Sequence, residues 1–189
     1  MKIADVRVHV LEAPLTEPFH WSFNGTNVRT ACLVEIVADD GTSGWGECFG
    51  PAALNAAIVA AYAQRLRGVD PLNTEAIWQD LYGAWRDQGQ KGLAIAALSG
   101  VDIALWDLKG RHFGVPIYRL LGGPLRTSVR AYATGTYRVE HGDPLEYVVD
   151  EVAGYVDQGF HAVKLKIGFD VEADAALIRA VRRKVGPTP

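Results

Sequence analysis

Cysteine is scarce in this chain: Cys32 and Cys48 are the only two among 189 residues. One pair makes neither a disulfide framework nor a four-ligand zinc site, and a reducing setting is the expectation. No block of lysine and arginine stands out, and the formal net charge is −3, so neither nucleic acid nor an anionic membrane is an expected partner. Long apolar runs are missing too. The longest mostly apolar stretch, Leu93 to Trp106, is interrupted by Ser99, Gly100 and Asp102 and is too short to span a bilayer. Met1-Lys2-Ile3-Ala4-Asp5 lacks a secretory pattern, so a cytoplasmic location is expected. There is no short internal repeat and no low-complexity segment. What remains is an ordinary globular balance, 49% hydrophobic and 22% charged. It excludes disordered and collagen-like classes, and the length allows a substantial core.

Three strand signals open the chain. Ile3 to Leu11 alternates through Val6, Val8 and Val10, and Thr30 to Ala38 is rich in Val, Ile and Leu. Asp39-Asp40-Gly41-Thr42 then reads as a hairpin turn into Ser43 to Cys48. Between the first two strands, Pro14 to Asn27 reads as a long loop with a turn signal at Asn24-Gly25. Helices follow. Pro51 opens one with Leu54, Ile58, Tyr62 and Leu66 on one stripe, stopped by Gly68. Asn73 or Thr74 caps a second that carries Ile77, Trp78, Leu81, Tyr82 and Trp85 on one face. A third, Gly92 to Phe113, is apolar nearly all round, predicts burial, and ends at Gly114. After Arg126 the order becomes strand (Val129 to Thr134), helix (from Asp143-Pro144 to Gly159), strand (Ala162 to Ile167) and helix (to Gly186-Pro187). That alternation implies right-handed crossovers and a parallel sheet or barrel.

The sharpest local feature is Val163-Lys164-Leu165-Lys166-Ile167. Alternation puts Val163, Leu165 and Ile167 under the helices and Lys164 with Lys166 on the other face. In an open sheet two such lysines are merely solvated. In a parallel strand covered by helices they need a polar cavity, which a barrel mouth supplies. There each lysine disfavours the other's charge, pushing one toward the range of a general base.

A second feature gives this pattern its context. Ala97-Leu98-Ser99-Gly100-Val101-Asp102-Ile103-Ala104-Leu105-Trp106-Asp107-Leu108-Lys109-Gly110-Arg111 is followed by Pro116-Ile117-Tyr118-Arg119-Leu120-Leu121-Gly122-Gly123. This resembles the signature of the mandelate racemase/muconate lactonizing enzyme family of the enolase superfamily. Gly44-Trp45-Gly46-Glu47-Cys48 is similar to the segment closing that family's meander. Trp45 to Pro51, Arg86 to Gln90 and Val129 to Gly135 look most like acid-sugar enzymes of the galactarolactone cycloisomerase type. The implied fold is an α+β capping domain, residues 1–126, followed by the first two units of a TIM-type (β/α)7β barrel, residues 127–189. The implied chemistry is removal of the proton α to a carboxylate, giving an enediolate steadied by a magnesium ion and polar groups. Lys166 matches the acid/base, Lys164 its neighbour that tunes it and contacts the carboxylate, and Thr134 a position that touches substrate. The Pro14–Asn27 loop resembles the mobile lid, where Trp21 and Phe23 would exclude water, and Cys48 to Asn55 resembles the second specificity loop.

Blander readings stand beside these. Trp21 and Phe23 equally suit packing against the cap. His20 and His161 have no partner at metal spacing, Asp102 and Asp107 suit hydrogen-bonded scaffold, and Cys48 suits an inert thiol. The family's magnesium ligands, and its opposing base, sit on later barrel strands and are expected beyond residue 189, so no metal ligand is assigned here. A barrel takes about 31 residues per unit, which leaves room for about two of eight after Thr127. The chain is therefore expected to be truncated and inactive alone. The resemblance implies a small carboxylate substrate and a homo-oligomer at full length. A non-catalytic binding module, a muconate-type cycloisomerase and a dipeptide epimerase are the competing readings.

Overall fold

The computed structural model describes residues 1–187. Its contacts divide the chain into two units: Met1–Ala13 with Thr30–Leu125, and Pro14–Arg29 with the chain from Arg126 onward. Among the described residues no helix is long and apolar enough to cross a membrane.

The first unit holds most of a meander, β1 (Ile3–Trp21), β2 (Asn24–Ala38) and β3 (Ser43–Cys48), with helices α1 (Ala52–Leu66), α2 (Thr74–Gly83), α3 (Leu93–Phe113) and the short α4 (Ile117–Leu120). The expected turn at Asp39 to Thr42 is present: Gly41 takes φ 87°, and the Thr42 amide donates to Asp40 Oδ1 at 2.9 Å. Period-2 alternation sends Cys32, Val34, Ile36 and Ala38 inward, each at most 2% exposed. On β1 the alternation fails further along, and Val10 is 44% exposed. The inward face of β3 is Gly44, Gly46 and Cys48. Without side chains there, α3 lies directly on the strand: a Cβ on Gly46 would collide with the carbonyl of Gly100, and one on Gly100 with Cys48 Sγ. The α1 stripe is rotated from the expected one. Asn55, Val59, Tyr62 and Leu66 are buried, while Leu54 is exposed, and the Asn55 Nδ2 donates to the Phe49 carbonyl at 3.0 Å. The left-handed Gly114 ends α3, and the Val115 amide returns to the Gly110 carbonyl at 2.9 Å.

In the second unit the supposed loop is a hairpin. β1 continues to Trp21, the chain reverses at Ser22 and Phe23, and β2 starts at Asn24. Pro14 and Pro18 are four apart, so both missing N–H groups lie on one edge of β1, and a strand tolerates proline where no ladder bond is needed. Gly25 does not make the turn: a Cβ there would overlap the His20 ring, so its role is close approach across the hairpin. Two further strands, β4 (Ala133–Thr134) and β6 (Val163–Lys164), pair in parallel and are much shorter than expected. β5 (Arg138–Val139), unforeseen in the sequence, pairs antiparallel with Phe19 and His20 of β1. Helix α5 (Pro144–Asp157) starts where predicted, with Asp143 accepting from the Leu145 amide, and α6 (Val171–Val185) starts after Asp170, which accepts from the Ala173 amide, both at 2.8 Å. They bury Val148, Val152, Leu177 and Val181 against each other, with Val163 and Leu165 packed on that cluster.

Two outcomes follow from the first unit. Gly46→Ala lowers stability by about 2–3 kcal/mol through backbone overpacking. Gly83→Ala, where a Cβ meets nothing within 4 Å, costs nothing, and thermal unfolding compares them. Cys32 and Cys48 face each other across β2 and β3. Burial, with Cys32 beside it, pushes the Cys48 thiol from 9.0 up to about 12. Both thiols stay silent to an aromatic disulfide reagent at pH 8 until the fold is denatured. The same shift has a sign: the stability tied to this neutral thiol is complete below pH 9 and falls as pH rises from 9 toward 12, which alkaline melting curves measure.

Candidate active site

The lysines lie in the second unit, and the β4–β6 pair sets their positions. Thr134 is the register partner of Lys164, so the two side chains leave the same face of adjacent strands. Lys164 is exposed and Lys166 half-buried. Val163 and Leu165 turn to the helices as expected, but Ile167 does not; it lies past the end of the strand and is 49% exposed.

The Lys166 ammonium sits over the Tyr137 ring, 4.8 Å from its centroid. Tyr137 leans on Phe19 of the hairpin at 4.3 Å, Arg29 covers Phe19 at 4.5 Å, and Trp21 lies 6.4 Å beyond Phe19. A row of rings therefore connects Lys166 to Trp21. Phe23 stands apart at the hairpin turn, 93% exposed. Trp21 also lines a shallow cleft with His20, Asn24, Thr26 and Glu140. His20 Nε2 is 3.9 Å from Glu140 Oε1, an exposed pair of little energetic weight. Thus Thr134 and Lys164 are paired on adjacent strands, Lys166 and Trp21 are joined through intervening rings, and Phe23 joins neither.

Several polar residues that support this arrangement went unread in the sequence. After β4 the backbone turns sharply: Thr136 takes φ 60°, a left-handed conformation that costs a β-branched residue on the order of 1–3 kcal/mol. Thr136 is 1% exposed. Its amide donates to Glu151 Oε1 at 3.0 Å, and its Oγ1 accepts from the Lys166 amide at 3.0 Å. The Tyr155 hydroxyl donates to the same Glu151 oxygen at 2.7 Å, and this hydrogen bond pushes the phenol above its ordinary range. Past Lys166, Gly168 takes φ 99° and its amide donates to Asp174 Oδ2 at 2.6 Å. Arg138 lies 3.7 Å from Asp174 and over the Phe169 ring at 4.7 Å. The one sequence signal for this network was the Gly135-Thr136 pair at a strand end, which marks a turn.

The candidates outside this unit divide as follows. Asp107 is scaffold: its Oδ2 accepts from the Trp45 amide and from Arg111 Nε, both at 2.9 Å. Burial, and then Glu75, pushes the Asp102 carboxyl up. Cys48 Sγ points at the Ala97 carbonyl at 3.7 Å. His161, in the second unit, is exposed. Among the described residues no three His, Cys, Asp or Glu side chains are placed to hold a metal ion. The residues present therefore do not make a magnesium site.

Comparison with known proteins bears on this geometry. Residues 3–122 match the sequence model for the mandelate racemase / muconate lactonizing enzyme N-terminal domain. The chain is 54% identical over 187 residues to D-galactarolactone cycloisomerase of Agrobacterium fabrum, covering 99% of this chain and 50% of the relative. Among solved structures it is similar to 3,6-anhydro-D-galactonate cycloisomerase from Zobellia galactanivorans, at 35% identity and TM-score 0.86, covering 99% of this chain and 49% of that one. It is also similar to L-talarate/galactarate dehydratase from Salmonella typhimurium LT2, liganded with Mg and L-lyxarohydroxamate, at 29% identity and TM-score 0.86, covering 100% of this chain and 50% of that one. The chain thus spans about half the length of these relatives.

The Asp174 contact generates a prediction. Asp174→Ala leaves the Gly168 amide without its acceptor and costs about 1–3 kcal/mol. Amide hydrogen exchange at Gly168 accelerates in the variant, and exchange mass spectrometry reads it.

Proposed function

The chain belongs to the mandelate racemase/muconate lactonizing enzyme family, and from that membership we propose that the whole protein abstracts the α-proton of an acid-sugar carboxylate or its lactone. The reaction class is cycloisomerisation, dehydration or epimerisation, with cycloisomerisation favoured by the 54% identity to D-galactarolactone cycloisomerase. Residues 1–126 are the cap of this reading and residues 127–189 the start of its barrel, in a cytoplasmic homo-oligomer.

The observation that carries the reading is the placement of Thr134, Lys164 and Lys166 on two paired strand ends with a ring platform beneath one amine. Lys166 is the acid/base: its neutral amine takes the α-proton and becomes an ammonium. The negative face of the Tyr137 ring attracts that ammonium as it forms. Lys164, exposed beside Thr134, meets the substrate carboxylate, and Thr134 offers a hydroxyl to the same molecule. Trp21 and, when the hairpin tip meets substrate, Phe23 keep water from the reacting carbon. Magnesium belongs to the whole protein by likeness to the dehydratase solved with it. Its ligands fall to residues beyond 189, and no step on this chain runs through it.

The test uses the full-length protein with magnesium, offered acid sugars, their lactones, muconate and dipeptides in deuterated water. Lys166→Ala abolishes exchange of the α-proton on one face of the carbon and lowers turnover by about 10²–10⁴-fold, the scale of a lost general base. Exchange retained on that face removes Lys166 as the base. A parent that exchanges none of these substrates favours the non-catalytic module instead.

A further inference from the structure

Thr136 holds an unfavourable conformation for a β-branched residue, in a place where the chain had cheaper choices. Glycine takes φ 60° without strain. A threonine at this angle points to a use for its side chain, and among the described residues that side chain accepts from the amide of Lys166. The β4–β6 ladder stops at Thr134 with Lys164. Continued, the register would pair residue 135 with 165 and then 136 with 166, but at that second position the left-handed turn carries the Thr136 main chain away. Its hydroxyl oxygen takes the acceptor role at 3.0 Å instead.

We propose that Thr136 is a positioning residue for Lys166, its hydroxyl fixing the Lys166 backbone where the strand pairing ends. The inference rests on the reading of Lys166 as the acid/base. The strain persists because three neighbours over-determine it. Glu151, on α5, accepts the Thr136 amide, and Tyr155, one turn later, holds the Glu151 carboxylate in place. Gly135 lets both approach, since a Cβ there would overlap the Tyr155 hydroxyl and Glu151 Oε1. The link from α5 to the Lys166 main chain is therefore Tyr155 to Glu151 to Thr136 to Lys166. Thr136 itself is 1% exposed, so it acts on substrate only through the lysine. An amine at the end of a long flexible stem is aimed by its backbone and by the Tyr137 ring that follows Thr136 in the chain. One residue thus sets both supports.

The test uses the full-length enzyme with magnesium and its best acid-sugar substrate, and compares the parent with Thr136→Ser, Thr136→Val and Thr136→Gly. Thr136→Val lowers kcat about 10- to 100-fold with KM within twofold, and speeds exchange of the Lys166 amide. Thr136→Ser, which keeps the oxygen, restores kcat to within about threefold. Thr136→Gly relieves the strained backbone, so its Tm is equal to or above the parent's while kcat falls as in the valine variant. That opposite movement of stability and rate is what a purely structural role does not produce. If Thr136→Val or Thr136→Gly turns over like the active parent, or if serine fails to rescue, the inference is overturned and the function stands. If the parent exchanges no α-proton at all, the functional reading falls and takes the inference with it.

Discussion

Backbone amides left over at strand edges and strand ends need acceptors, and in this protein carboxylates standing on helices supply them. Asp107 of α3 takes the amide of Trp45 on β3. Glu151 of α5 takes the amide of Thr136 just past β4. Asp174 of α6 takes the amide of Gly168 just past β6. A buried N–H without a partner costs as much as a lost hydrogen bond or more, so Glu151 and Asp174 fix how the chain leaves β4 and β6, while Asp107 holds an amide on the free edge of β3. The aliphatic clusters supply most of the gross driving force. They are indifferent to direction, and it is the charge-assisted contacts that give the strand ends one geometry.

The consequence for chemistry lies in the second unit. A two-residue parallel pair is a weak platform by itself, since two ladder positions fix little. It becomes a precise one because both exits are tied to the helices that cover it, one through Thr136 and one through Gly168. Lys166 sits between these tethers, and its ammonium rests on Tyr137 and, through it, on the hairpin ring Phe19. On the proposed reading of Lys166 as the base, rigid support around its flexible side chain would hold it still before substrate arrives.

Much of this was legible in the sequence where the signals are local. Asp143 and Gly114 mark helix ends by their own side chains or lack of one, and they lie where read. The alternation around Lys164 made Val163 and Leu165 legible as the residues turned to the helices, and they pack there. What stayed hidden depends on partners far along the chain. Pro14 and Pro18 masked the hairpin, because proline argues against a strand unless the vacant edge is known. Asn55 masked the α1 core face, because a buried amide is foreseeable only with the Phe49 carbonyl that takes its Nδ2. Glu151 carries no sequence signal of its own. Nothing local announces that it faces Thr136 fifteen positions back.

The cross-strand thiols bear on how such a protein is studied. Cys32 and Cys48 are 0% and 2% exposed, so the native chain carries no thiol at its surface among the described residues. Phe23 is 93% exposed at the hairpin turn. A cysteine introduced there would be the single site open to a fluorophore or spin label, with no need to strip the natural pair from the core. The same burial that makes those two sulfurs chemically mute gives the hairpin tip a clean optical address.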